Sequence, residues 1–236
     1  MLFTVVTMHE LLNTICTRIK TCTYCRLNET RENAVCPEGI YPSKFMFIAQ
    51  APGRTEDKEG KMFIGPSGKV FNALLASVEL KRNEIYITNL LKCFLPKCRK
   101  PRHDEMKTCY ENFLQYEIQI VKPEFIVTLG FHVTRFLFEL YDFPVPNKYE
   151  IKSIFGQLYY AKNQKILLLK HPATVVHKSS TIENLKKEYQ ILKTLQDKCP
   201  RITECFKYKD YLNGLLTHSF VELNCFGNWE KCPYFR

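Results

Sequence analysis

Residues 44–75, KFMFIAQAPGRTEDKEGKMFIGPSGKVFNALL, constrain the fold more than any other stretch of the chain. Phe45, Met46, Phe47, Ile48 and Ala49 form a continuous apolar run of strand length, the pattern of a strand buried on both faces. Gln50, Ala51, Pro52 and Gly53 then break the run where the carboxyl end of a parallel strand opens into a crevice, the usual place for a ligand in an open α/β sheet. A second turn, Gly65-Pro66-Ser67-Gly68, leads into Lys69, Val70, Phe71, Leu74 and Leu75 at helical spacing. Between the turns, Met62, Phe63 and Ile64 are an apolar trio in an otherwise charged loop.

The remaining pattern extends this unit. Strands are expected at residues 85–88 and 123–130, and a hairpin at 157–161 and 165–169; helices are expected at 8–20, from about 104, at 131–140 and at 181–195. Strands alternating with helices imply an α/β protein, a three-layer α/β/α sandwich around a central four-stranded, mainly parallel sheet. Gln50, Asn89 and His171 then gather at the carboxyl ends of the strands. At 236 residues the chain accommodates one ordinary domain, residues 1–198, and a short Cys-rich C-terminal extension, residues 199–236.

Lys and Arg exceed Asp and Glu by 34 − 24 = 10, which favours an anionic partner such as nucleic acid. The start, MLFTVVTMHELL, carries neither a basic n-region nor a membrane-length apolar run, so a cytoplasmic protein without a membrane is expected. In that setting eleven cysteines point to metal or cluster ligation more than to disulfides. Cys22 and Cys25 form a C-x2-C pair where the first helix ends; Cys93 lies in a loop after the second strand and Cys109 in the helix that follows. Four thiolates suit a [4Fe-4S] cluster, with tetrahedral zinc as the alternative and Cys98 as a competing ligand.

The motifs AQAPGRTEDKEGKMFIGPSG, YITNLLKC, KPRHDEMKTC, KPEFIVTLG and HPA, in this order, resemble the iron-sulfur, family 4 uracil-DNA glycosylases. The resemblance covers about residues 8–195. It implies a monomer acting on uracil-containing DNA, single- or double-stranded, with Cys22, Cys25, Cys93 and Cys109 holding the cluster. It also implies Gln50, Asn89 and His171 as the catalytic set, with Ala51, Pro52, Gly53, Glu56, Phe63, Ser67 and Asn89 binding the substrate. The chemistry of these side chains suits the task. An amide donates to uracil O4 and accepts from N3–H at once, so Asn89 separates uracil from cytosine; Phe63 offers a stacking face; His171 donates to O2 as the base leaves.

The chain departs from the family pattern at Ala49 and Gln50, where relatives have Gly and Glu, and an amide cannot act as a base. Val175-Val176-His177 also stand where relatives place Leu and Arg to wedge the duplex. A glycosylase for another deaminated base, or a noncatalytic or redox-sensing iron-sulfur DNA-binding protein on the same fold, is the alternative. In the tail, Cys199, Cys205, Cys225 and Cys232 are spaced more loosely than in usual zinc sites, so a docked extension is favoured over a second metal site for zinc.

Overall fold

A computed structural model describes residues 7–147, 149–161, 164–197, 201–202, 204–212, 225 and 229–235. The strands are β1 (Glu38–Gly39), β2 (Phe45–Ala49), β3 (Tyr86–Asn89), β4 (Phe125–Leu129), β5 (Leu158–Ala161) and β6 (Gln164–Leu169). The helices are α1 (Met8–Lys20), α2 (Arg54–Glu59), α3 (Pro66–Ser77), α4 (His103–Cys109), α5 (Gln115–Val121), α6 (Phe131–Leu140), α7 (Glu150–Ile154), α8 (Ala173–Val176), α9 (Ile182–Gln196) and α10 (Phe206–Leu212). A π-helical turn, Tyr110–Leu114, joins α4 to α5.

The sheet has six strands in the order β1-β3-β2-β4-β6-β5, not the four expected. The four central strands are parallel and largely buried, and β1 and β5 add antiparallel edges. The hairpin arm β5 was legible as a strand but joins the same sheet, and β1 is only two exposed residues long, without an apolar signal.

Period-2 alternation divides the central strands between two cores. Phe45, Phe47, Ile87, Val127 and Leu167 pack with Phe71 and Leu74 of α3 and with Leu185, Tyr189 and Leu192 of α9. On the opposite face Met46, Ile48 and Ile126 pack with Ile15 and Ile19 of α1, Ile118 and Val121 of α5, and Val133 and Leu137 of α6. This is the expected three-layer α/β/α sandwich. The parallel strands follow the order second-first-third-fourth, so the chain changes direction beside β2, whose carboxyl end becomes the mouth of a crevice.

Two further features bear on the cysteines and the tail. Cys16 of α1 is disulfide-bonded to Cys36 in the loop before β1, with Cα atoms 5.3 Å apart, whereas ligation had been expected to outweigh disulfides. The sequence alone could not pair them, since their approach depends on α1 packing against that loop. In the tail, Ile202, Tyr211 and Cys225 are buried in the core shared with α3 and α9, and Trp229 Nε1 donates to Asp197 Oδ1 at 2.9 Å. Cys199 lies outside the described residues. No helix among the described residues is long and apolar enough to cross a membrane.

Candidate active site

The loops at the carboxyl ends of β2, β3 and β6 line one cleft of about 380 Å³. Gln50, Ala51, Pro52, Gly53, Glu56, Phe63, Ser67, Asn89 and His171 all lie on its wall, so every residue expected to touch the base or its sugar is brought together. Leu90 N–H donates to Ala49 O at 2.8 Å and Leu91 N–H to Gln50 O at 2.9 Å, which carries the β2–β3 pairing beyond the strands and holds Gln50 beside Asn89.

The base-reading candidate, Asn89, is 3% exposed. Its Nδ2 lies 3.2 Å from Met62 Sδ, and its backbone oxygen accepts from Lys92 Nζ at 2.8 Å. Phe63 adopts a left-handed backbone (φ 47°), which turns its ring inward against Phe71, with centroids 4.7 Å apart, and His171, stacked at 5.9 Å. Gly68 makes this possible: a Cβ there would stand 1.8 Å from Phe63 O, so only glycine lets α3 start so close to the loop. Glu56 Oε1 accepts the Gly65 N–H at 2.8 Å, so this buried carboxylate braces the two turns that flank Phe63.

His171 follows β6 and keeps an edge toward the cleft. Its Nδ1 accepts the Ala173 N–H at 3.0 Å. Burial, helped by the nearby His177, lowers its pKa from 6.5 to about 4. The ring is therefore neutral at physiological pH, and because Nδ1 is an acceptor its proton sits on Nε2. The Nε2–H is thus a hydrogen-bond donor without a formal charge.

Phe94, Leu95, Cys98, Arg99, Ala173 and His177 complete the wall. Sequence reasoning gave Phe94, Leu95 and Ala173 no role, although Phe94 and Leu95 directly follow Cys93. Arg99 is paired with Glu105 through both guanidinium nitrogens at 2.9 and 2.5 Å, which fixes the basic loop beside the cleft.

Cys22, Cys25, Cys93 and Cys109 line a second, separate cavity with Arg31 and Lys92, and Cys98 is not part of it. Burial raises the thiol pKa of Cys25 and Cys93 and pushes that of Cys109 up to about 12. Arg31, another residue without a sequence signal, donates to Cys93 Sγ at 3.1 Å and to Cys22 O at 2.8 Å. Among the described residues no three His, Cys, Asp or Glu side chains stand close enough to hold one metal ion.

The family model described as the uracil DNA glycosylase superfamily matches residues 37–196. A type-4 uracil-DNA glycosylase of Archaeoglobus fulgidus is 32% identical over 185 residues, covering 77% of this chain and 91% of its own length. That of Saccharolobus solfataricus is 32% identical over 202 residues, covering 84% and 92%. That of Sulfurisphaera tokodaii is 33% identical over 179 residues, covering 74% and 80%. With the cleft at the same strand ends that carry the matching motifs, the chain belongs to the uracil DNA glycosylase superfamily, among its type-4 members.

Proposed function

We propose that the protein hydrolyses the N-glycosidic bond of uracil in DNA, releasing the base and leaving an abasic site. The observation that carries this reading is the convergence of Gln50, Phe63, Asn89 and His171 on one cleft at the strand ends. A nucleotide flipped into the cleft stacks on Phe63 while the Asn89 amide reads O4 and N3–H. Cytosine reverses both roles and is refused. As the glycosidic bond breaks, negative charge gathers on O2 and is met by the Nε2–H of His171; one such donor lowers the barrier by roughly 3 kcal/mol. Gln50 orients the attacking water without taking its proton, which passes to the departing uracil anion as the sugar gains the hydroxyl. Backbone amides of residues 51–53 add to the charge stabilisation, Glu56 excludes the thymine methyl at C5, and Ser67 with the basic residues of the 97–102 loop holds phosphates.

Cys22, Cys25, Cys93 and Cys109 fit a [4Fe-4S] cluster: the cavity's sulfur donors are all cysteine, and Arg31 beside Cys25 and Cys93, with Lys92 beside Cys109, offers positive charge to thiolates that burial alone would disfavour. When bound, such a cluster supplies a structural cross-link, and no step of the hydrolysis uses it. The chain divides into a glycosylase domain, residues 1–198, and an extension, residues 199–236, that docks on the α3–α9 core through Tyr211 and Cys225 instead of through a zinc staple. The enzyme acts as a cytoplasmic monomer.

Incubation of the purified protein with uracil-containing single- and double-stranded oligonucleotides tests the reading through alkali-labile abasic sites. Product on either supports it. Retained binding with no product favours a noncatalytic damage binder, to which the amide at Gln50 would be suited. Hypoxanthine- and xanthine-containing strands define the lesion, and iron and zinc analysis of anaerobically purified protein tests the cluster.

A further inference from the structure

Behind the cleft, Arg82 stands just before β3, nineteen residues from Phe63 in sequence, and its guanidinium gathers five acceptor contacts. Nη1 donates to Phe63 O at 3.2 Å and to Asn72 Oδ1 at 3.1 Å. Nη2 donates to Met62 O at 2.5 Å and to Glu38 Oε2 at 2.9 Å, while Nε donates to Glu38 Oε1 at 2.6 Å. The two-residue strand β1 is what delivers Glu38 to this position, through its antiparallel pairing with β3.

We propose that Arg82, held bidentately by Glu38, is a positioning residue that fixes the Met62–Phe63 loop so that the ring of Phe63 and the amide of Asn89 present a preformed base-reading surface. The proposal rests on the glycosylase reading of the cleft, but adds to it a residue that touches neither base nor sugar.

Three observations point the same way. Phe63 has φ 47°, a conformation that L residues seldom adopt unless the surroundings impose it. The two carbonyls that Arg82 binds are those of the left-handed residue and its predecessor, so the fork grips the backbone at the turn itself. The same segment carries Met62, whose sulfur lies 3.2 Å from Asn89 Nδ2, so a shift of the loop moves the stacking ring and the reading amide together. Gly68 closes the other side of the Phe63 carbonyl, leaving the loop between α3 and the guanidinium. A planar fork is needed here: an ammonium in the same place reaches one carbonyl and cannot hold both together with Glu38.

The alternative role for Arg82 is a plain brace between β1 and the sheet, and the experiment separates the two. Arg82→Ala and Arg82→Lys are made in the wild-type chain and in a Phe63→Ala chain. Each is measured for single-turnover excision of uracil from a single-stranded oligonucleotide, and for affinity toward the same strand carrying a 2′-fluoroarabino uridine that resists cleavage. In the wild-type chain Arg82→Ala is expected to slow excision about 10²-fold, as misplacement by about an ångström does, and to weaken binding of the analogue, with Arg82→Lys between it and wild type. In the Phe63→Ala chain the same substitution is expected to cost at least about 5-fold less in both readouts than in the wild-type chain, because one of the two groups that Arg82 positions has been removed and only the part carried through Met62 to Asn89 remains. Equal losses in both chains, or no loss in the wild-type chain, overturn the proposal. Should Arg82→Ala not fold, Arg82→Lys completes the cycle on its own. Absence of excision by the unmodified protein would refute the glycosylase reading, while the affinity cycle would still decide the role of Arg82.

Discussion

Lys92 Nζ stands 2.5 Å from Glu117 Oε1, and the two side chains are 2% and 0% exposed. The pair links the cysteine cavity, which Lys92 lines, to the strand end that carries Asn89. Lys92 precedes Cys93 in sequence and donates to Thr88 Oγ1 at 2.7 Å and to Asn89 O at 2.8 Å. Burial and the adjacent carboxylate hold the Tyr86 hydroxyl protonated, and it donates to Glu117 Oε2 at 3.4 Å. Two charges are thus desolvated behind Asn89, and only their mutual attraction and these few hydrogen bonds compensate.

Replacing one member leaves the other charge buried without its partner. Lys92→Met or Glu117→Leu alone should therefore cost about 3–5 kcal/mol of stability, whereas the double variant, with matched apolar volume, should return to near wild type. Urea denaturation of the three proteins checks this. A double variant no more stable than the singles would show that the site needs its charge. A stable double variant that still excises uracil more slowly would show that the hydrogen bond from Lys92 to Asn89 O matters to the cleft beyond folding.

His171 sets a pH dependence whose sign follows from its lowered pKa. The folded ring resists protonation down to about 4, while in the unfolded chain it takes a proton near 6.5. The unfolded state therefore binds more protons between these values, and stability falls as pH drops through that window by up to about 1.4 kcal/mol per pH unit. His171→Gln should remove this component from the pH dependence of the urea midpoint. The same neutrality predicts an excision rate without a histidine step between pH 6 and 8. His171→Ala should slow single-turnover excision by about 10²–10³-fold with little change in DNA affinity, since the donor acts on charge that develops only as the bond breaks.

Gln50 occupies the end of β2, facing the cleft, where an amide can orient water but cannot accept its proton. Gln50→Glu places a carboxylate there without changing side-chain length. It is expected to accelerate single-turnover excision by about 10²-fold, the lower range of what a positioned general base contributes. Because the added base must be ionised, the gain should disappear as pH falls below the carboxylate range. A slower Gln50→Glu protein would assign the amide a role of its own.

Much of the cleft was legible because its residues punctuate buried strands. Phe45–Ala49 and Tyr86–Asn89 are continuous runs whose carboxyl ends are marked by Gln50 and Asn89, and parallel topology alone brings such ends together. What escaped was long-range and polar. Glu38 and Gly39 carry no apolar periodicity, so β1 was invisible. Arg82 and Arg31 look like surface charges until the fold puts carbonyls and a sulfur in their reach. The Cys16–Cys36 pairing likewise depends on packing between segments twenty residues apart, which no local pattern encodes.

The short helix α8 bears on which form of DNA is preferred. Val175 is turned toward the α3–α9 core and His177 lines the cleft, so Val176, 39% exposed, is the large apolar side chain that α8 presents outward. Opening a duplex step costs a few kcal/mol, and architectural proteins offset that cost by inserting a large apolar wedge. A valine reaches less far between base pairs than a leucine, so the duplex must supply most of the opening by its own fluctuations. Uracil in single strands, or opposite a mismatch, avoids that cost. The expected outcome is a kcat/KM at least about 10-fold higher on single-stranded than on fully paired uracil, corresponding to about 1.4 kcal/mol of uncompensated opening. Val176→Leu should raise the duplex rate and leave the single-strand rate unchanged. Equal rates on both substrates in the unmodified protein would mean that another element, such as the loop containing Ile64, opens the stack.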